Sequence, residues 1–122
     1  MSREFEQPCF QVVPPIILDE NGDVEAYPSV QAVIRHVEVV DILNGEYTFH
    51  DSTGRVLEAQ VFKGKVKLVP TPRVEPDSSV LRERIVHVLS LLGVPEEASS
   101  GLPFTELSRL LFEKSKKRGA KP

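Results

Sequence analysis

The chain of 122 residues has a single cysteine, Cys9. One cysteine cannot form a disulfide within the chain or build a multi-cysteine metal site. No apolar run approaches the roughly 20 residues that cross a bilayer, and residues 1–8 are too acidic and too poor in apolar side chains for a signal peptide. These absences favour a reducing, cytoplasmic setting and argue against membrane binding.

Motifs for catalysis and phosphate binding are also lacking. The chain has no glycine-rich phosphate loop of either common type and no G-x-S-x-G nucleophile turn. Its three histidines lie far apart, and none has a second histidine or cysteine at zinc-site spacing. The segment Asp19-x-Asn21-x-Asp23 resembles the opening of a calcium loop, but Val24 and Val30 stand where that loop needs glycine and glutamate. We therefore predict no catalytic residue, no metal site and no cofactor.

Two groups of polar residues are candidates for chemistry. His50 and Asp51 are adjacent, as a histidine base and its carboxylate partner would be, so a small hydrolase around His50 is one alternative function. The simpler interpretation is an exposed histidine at a strand end, followed by an aspartate that forms a turn. The spacing of three further acids, Glu38, Asp41 and Glu46, does not by itself indicate a binding or catalytic site, although folding is able to bring their carboxylates together. A solvated acidic surface is their default interpretation.

Charge is distributed unevenly along the chain. The net charge is −3, but residues 1–113 hold ten basic and eighteen acidic residues, a net of −8. The last nine residues hold five basic residues and no acid: Lys114, Lys116, Lys117, Arg118 and Lys121. Such a tail suits phosphate contacts, so a nucleic-acid-binding accessory protein is another alternative. The same residues are also explained by a helix that ends there, because positive charges interact favourably with the negative C-terminal end of the helix dipole. In addition, the acidic body of the chain would repel nucleic acid.

The clearest structural pattern runs from Gly45 to Pro70. Apolar and polar residues alternate there in three short segments, which predicts three strands. The segments are separated by Asp51–Gly54 and by Lys63-Gly64, whose residue types favour tight turns. The pattern therefore predicts an antiparallel β-meander with one apolar face, which the rest of the chain must cover.

The segment before the meander contains two adjacent prolines, Pro14 and Pro15. Proline lacks the N–H that a central strand donates, so residues 9–18 are predicted to be an edge strand or an extended segment over the core. Asn21-Gly22 predicts a reverse turn. Residues 24–27 would then pair back as a short strand.

An early helix is predicted over residues 29–38. Apolar residues recur at i, i+3, i+4 and i+7 from Val30, and Ser29 is a suitable N-cap. The many β-branched residues favour a strand instead, because their χ1 freedom is lost in a helix. A strand over residues 35–43, paired through Asn44-Gly45, is therefore the alternative.

The C-terminal part is predicted to be helical. Residues 71–79 form a proline-rich extended connector. Residues 80–113 then show two apolar stripes at helical spacing, with Gly93 closing the first helix, which predicts a helical hairpin. The first stripe exceeds what a small sheet covers, so we predict that it contacts a partner. The partner-binding residues predicted there are Val80, Val88, Leu91 and Leu92.

Together these patterns predict a single α+β domain over residues 1–122. It consists of a small antiparallel β-meander packed against a C-terminal helical hairpin and one earlier helix. Residues 9–70 are mostly β, residues 1–8 are frayed, and residues 114–122 form the basic tail. The lack of catalytic groups predicts a non-catalytic interaction or regulatory module, which binds a protein partner or forms a homo-oligomer.

Overall fold

The computed structural model describes residues 11–74 and 79–119, with the backbone alone at residues 79 and 116–119. Cys9, the frayed residues 1–8 and Lys121 therefore lie outside the described residues. The described chain is an α+β domain, as predicted. Its elements are β1 (Ile16–Glu20), β2 (Asp23–Tyr27), α1 (Val30–His36), α2 (Val39–Leu43), β3 (Tyr47–His50), β4 (Arg55–Phe62), β5 (Lys65–Val74), α3 (Ser79–Leu91), α4 (Glu96–Ser99) and α5 (Phe104–Gly119).

The strands form one antiparallel sheet in the order β2-β1-β3-β4-β5. Strands β3 to β5 are the predicted meander, and β1 and β2 form a hairpin around Asn21-Gly22. Both residues of that turn have positive φ, 54° and 95°, as a tight two-residue hairpin turn requires. Lys63-Gly64 repeats this conformation between β4 and β5, with φ of 54° and 77°. Both turns were predicted from their residue types and are confirmed.

Strand β1 lies inside the sheet, between β2 and β3, so the expectation of an edge strand or an extended segment is wrong. Pro14 and Pro15 precede the strand, and residues 16–20 therefore keep every N–H that pairing on both sides needs. Ile17 is opposite Ala26 on one side and His50 on the other. The strand is buried on both faces, because helices cover the sheet from both sides here.

Each face of the sheet has its own core. On one face α3 and α5 pack against β2, and Leu89 and Leu107 are fully buried in a cluster with Ile17 and Val24. On the other face α1 covers a second cluster. Its buried members are Ile16, Leu18, Val33, Val37, Phe49, Leu57 and Leu68. The helical hairpin is thus confirmed and makes its main sheet contacts with β2, while the apolar face of the meander packs towards α1.

Two short helices follow β2. The Ser29 hydroxyl accepts a hydrogen bond from the Ala32 N–H (3.1 Å), so Ser29 caps α1 as predicted. The strand alternative for residues 35–43 is wrong. The Glu38 carbonyl accepts the N–H groups of residues 41 and 42 (3.1 Å each), which closes the first turn of α2.

Strand β5 continues to Val74, so residues 71–74 belong to the sheet rather than to the predicted connector. The prolines of this stretch are tolerated because β5 is the last strand of the sheet, and none of the described strands pairs with its outer side. Thr71 strengthens the pairing with β4. Its hydroxyl donates to the Val56 carbonyl (2.8 Å), and its carbonyl accepts from the Arg55 guanidinium (2.9 Å).

Candidate functional site

The His50–Asp51 pair is part of the structural framework. Asp51 is completely buried, and its carboxylate accepts hydrogen bonds from the N–H groups of Val13 (3.0 Å), Thr53 (2.9 Å) and Arg55 (3.1 Å) and from the Thr53 hydroxyl (2.7 Å). Asp51 is thus the turn-forming residue that the sequence predicts. His50 is only 6% exposed, so the expectation of an exposed histidine is wrong. It lies opposite Ile17, on the face of the sheet that α3 and α5 cover. This arrangement gives the hydrolase hypothesis no support.

Asp19, the first acid of the calcium-like segment, is also used inside the fold. One carboxylate oxygen accepts the Gly22 N–H (2.8 Å), which shapes the β1–β2 turn. The other oxygen forms an ion pair with Arg84 of α3. Asp19 is 4% exposed, so its pairing with a cation offsets the cost of burying a charge. The residue therefore joins the turn to the helical hairpin.

The apolar residues predicted to bind a partner differ in exposure. Val80 and Leu91 are 55% and 71% exposed, whereas Val88 and Leu92 are half-buried. Val80 and Leu91 share one side of α3 but lie about three turns apart, or roughly 16 Å. Arg84 lies between them on the same side. The exposed apolar residues of α3 therefore do not form a continuous patch.

The predicted basic tail begins within a helix. Helix α5 extends to Gly119, past residue 113, at which the predicted helical hairpin ends. Lys114 is half-buried in it, and Lys116, Lys117 and Arg118 follow in its last turns. Cations in this position suit the negative end of the helix dipole. Phosphate binding by the tail stays a prediction.

A polar cleft of about 270 Å³ lies between α3 and α4. Its Arg82 donates to the carbonyls of Ser100 (3.0 Å) and Leu102 and so holds the loop after α4 in place. The remaining lining residues are Glu83, Val86, His87, Ser90 and Glu96. Because the strongest donor is already engaged by the loop, the cleft is best explained as a packing feature.

Three carboxylates converge where β1 ends beside α2. Glu20, Asp41 and Glu46 each offer an oxygen within 4.8 Å of the other two. The β1–β3 register brings them together, since Glu20 lies opposite Tyr47, the residue after Glu46. Glu38, the third residue that the sequence suggested for such a group, is exposed and outside it. Glu20 was missed, because only the pairing of distant strands places it here.

This acidic cluster is strongly negative. Among the residues that the structure describes, none of the three carboxylates has an ion-pair partner. At separations within 4.8 Å, each pair of like charges repels by about 1 kcal/mol in water. Their oxygens are ligands of the kind that calcium and magnesium take. All three residues are only half-buried, however, as in an ordinary acidic surface.

An apolar groove of about 220 Å³ opens next to the acidic cluster. Ile42 of α2 lines it, and Val40 and Leu43 of the same helix are 57% and 70% exposed. Their spacing of three residues places them on one side of the helix. The groove is lined by Ile42, Tyr47, Thr48, Phe49, Val56, Leu57 and Ala59. We refer to Val40, Leu43, the groove and the three clustered carboxylates as the α2 surface.

Tyr47 connects the apolar and acidic parts of the α2 surface. Its ring lines the groove, and its hydroxyl donates to the Asp41 carboxylate (3.3 Å). Burial of the hydroxyl, with the carboxylates of Glu20 and Asp41 nearby, raises the pKa of Tyr47 above its ordinary value. Tyr47 therefore stays a neutral hydrogen-bond donor at physiological pH.

The groove lies where β3 and β4 separate. The two strands pair only at Phe49–Leu57 and His50–Val56. Thr48 and Tyr47 continue β3, pair with β1 and line the groove, but they do not pair with β4. This opening between the strands was not predicted from the sequence.

A scan against protein-family models and searches of curated proteins and of solved structures found no match to this chain. Within residues 11–74 and 79–119, no helix combines the length and apolar character needed to cross a membrane. The fold defines an α+β domain, and the interpretation of its function depends on the surfaces described above.

Proposed function

We propose that this chain is a non-catalytic interaction module that binds a segment of a protein partner at the α2 surface. The observation that carries the proposal is that one short helix, α2, contributes exposed apolar side chains, a wall of an open apolar groove and a member of an unneutralised acidic cluster. Interfaces typically combine an apolar centre with a polar rim. The α2 surface has this composition, whereas the exposed apolar residues of α3 are separated by charge.

The size of the groove favours a side chain over a small-molecule ligand. Pockets for drug-sized ligands usually measure about 300–1,000 Å³, and this groove measures about 220 Å³. Leu43 is 70% exposed, and complete burial of a leucine contributes about 1.5–3 kcal/mol. Covering Leu43 would therefore contribute about 1–2 kcal/mol, or roughly 5- to 30-fold in affinity.

The acidic cluster determines the charge of the partner. We expect an apolar residue of the partner segment to enter the groove. A lysine or arginine next to that residue would neutralise the mutually repelling carboxylates of Glu20, Asp41 and Glu46. Charges at the rim of an interface act mainly on the association rate and on its salt dependence. We therefore expect the partner segment to combine large apolar residues with Lys or Arg, and its binding to weaken as salt is added.

Selection from a random peptide library displayed on phage tests the proposal without a known partner. The wild-type chain is expected to enrich peptides that combine a large apolar residue with Lys or Arg. Leu43→Asp should weaken their binding by roughly 5- to 30-fold or more, and the triple change Glu20→Gln, Asp41→Asn and Glu46→Gln should also weaken it and reduce its salt dependence. Leu91→Asp is the matched control, because Leu91 is equally exposed but lies on α3.

Three outcomes would reject the proposal: no enrichment, enriched peptides that bind Leu43→Asp as tightly as the wild type, or equal loss in Leu91→Asp. Light scattering over a range of concentrations addresses self-association. A dimer that Leu43→Asp dissociates would identify the occupant as a second copy of this chain and would also contradict a separate protein partner.

A further inference from the structure

Strand β4 has an open edge inside the sheet. It pairs with β5 without interruption from Leu57 to Phe62, but with β3 only through Val56 and Leu57. Beyond Leu57 the two strands separate, because Thr48 and Tyr47 of β3 stay paired with β1 but not with β4, and the groove of the α2 surface opens there. The second half of β4 is therefore a paired strand on one side and an edge strand on the other.

The direction of the backbone groups on this edge follows from the ladder. The Arg55 carbonyl accepts the Asp51 N–H (2.9 Å), so residue 55 directs its backbone groups towards β3. These directions alternate along an antiparallel strand. Ala59 and Val61 therefore direct their N–H and C=O groups towards the groove. Among the strands that the structure describes, none pairs with these two residues on that side.

This edge lacks the protection found on the outer edge of the sheet. Strand β5 carries Pro70, Pro72, Lys65 and Lys67, and prolines and lysines are common devices against unwanted strand pairing. Residues 58–62, with the sequence EAQVF, contain neither proline nor lysine. An unprotected edge beside an apolar groove is suited to receiving another strand.

We propose that the partner segment binds as an extended strand along β4, with backbone hydrogen bonds to Ala59 and Val61. This inference rests on the proposed function and specifies its binding mode. Alternate side chains of the added strand would point to one face, so an apolar residue enters the groove. A neighbouring Lys or Arg then meets the carboxylate of Glu46, which immediately precedes the groove residue Tyr47.

Amide hydrogen exchange measured by NMR tests the edge directly. In the unbound chain, the N–H groups of Ala59 and Val61 should exchange fast. Those of Glu58, Gln60 and Phe62, which face β5, should exchange slowly. The probe is the most enriched peptide from the library selection. At saturation it should slow exchange at Ala59 and Val61 by about tenfold or more, because both donors become hydrogen-bonded.

The same peptide allows a matched test on the ligand. Methylating one backbone nitrogen at a time removes a donor without changing a side chain. A strand directs alternate N–H groups to its partner, so affinity should fall with a period of two residues. Methylation of the outward-facing amides serves as the control.

The outcomes separate this inference from the proposed function. Peptides that bind at Leu43 but leave exchange at Ala59 and Val61 unchanged, with no period-two effect of methylation, would overturn strand addition and leave the interaction module intact. Slow exchange at both residues in the unbound chain would also overturn it, because the edge would already be paired. Failure to select any peptide would reject the proposed function itself.

Discussion

Replacement of Asp51 should cost this domain a large part of its stability. Its Oδ1 atom accepts three hydrogen bonds, from the N–H and hydroxyl of Thr53 and the N–H of Arg55, and its Oδ2 atom accepts one from the N–H of Val13. A hydrogen bond to a charged group contributes about 1.5–3 kcal/mol, but bonds that share one acceptor do not add fully. We expect Asp51→Ala to lower the free energy of unfolding by about 4 kcal/mol, out of a total of about 5–15 kcal/mol for a domain of this kind.

Asp51→Asn distinguishes the contributions of the two carboxylate oxygens. The amide oxygen is able to keep the three Oδ1 hydrogen bonds, while the amide nitrogen faces the Val13 N–H and cannot accept from it. The expected loss is therefore about 2 kcal/mol, half that of the alanine variant. Urea unfolding, monitored by circular dichroism, measures the free energy of unfolding of both variants. Asp23→Asn, at an exposed position, is the control and should change this free energy by less than about 0.5 kcal/mol. A loss below 1 kcal/mol for Asp51→Ala, or equal losses for both variants, would refute this reasoning.

Two further predictions concern the tyrosines and the helical hairpin. Burial, followed by nearby carboxylates, raises the pKa of Tyr27 and Tyr47, the only tyrosines in the chain, above the usual value of about 10. Ultraviolet titration should detect little tyrosinate at pH 10 while the chain is folded. The free energy of unfolding should fall as the pH rises further, because the tyrosines ionise readily there only in the unfolded chain. Half-ionisation of the tyrosines at pH 10 in the folded chain would contradict this. Leu107→Ala should cost about 2–5 kcal/mol in urea unfolding, because Leu107 is completely buried between the hairpin and β2. Leu91→Ala, the same change at an exposed position of the hairpin, should cost less than about 0.5 kcal/mol, and similar losses for both would contradict the packing described here.

The parts of the fold that sequence predicted are those determined by neighbouring residues. Asn21-Gly22 and Lys63-Gly64 adopt positive φ because their residue types tolerate it, and Ser29 caps α1 through a bond three residues away. The position of β1 depends instead on pairing with β3, about 30 residues later. Its run of Ile16, Ile17 and Leu18 was nevertheless a usable signal, since consecutive apolar residues indicate a strand buried on both faces.

The candidate site was less predictable than the fold. Asp41 and Glu46 were recognised as able to converge, but Glu20 joins them only through the register of β1 against β3. Apolar periodicity identifies one face of a helix but does not show how much of that face neighbouring elements cover. For this reason the sequence pointed to the apolar stripe of α3, whose role in partner binding stays a prediction, and not to the exposed Val40 and Leu43 of α2.

Strand β1 belongs to both cores of the domain. Ile17 packs under the C-terminal helices, while its neighbours Ile16 and Leu18 pack on the opposite face with α1. Neither core can therefore open without exposing the other side of the same five residues. We expect the whole domain to unfold in one cooperative step. A destabilising change in the C-terminal helices would then reduce the population of intact α2 surface as well, although the two are separated by the thickness of the sheet.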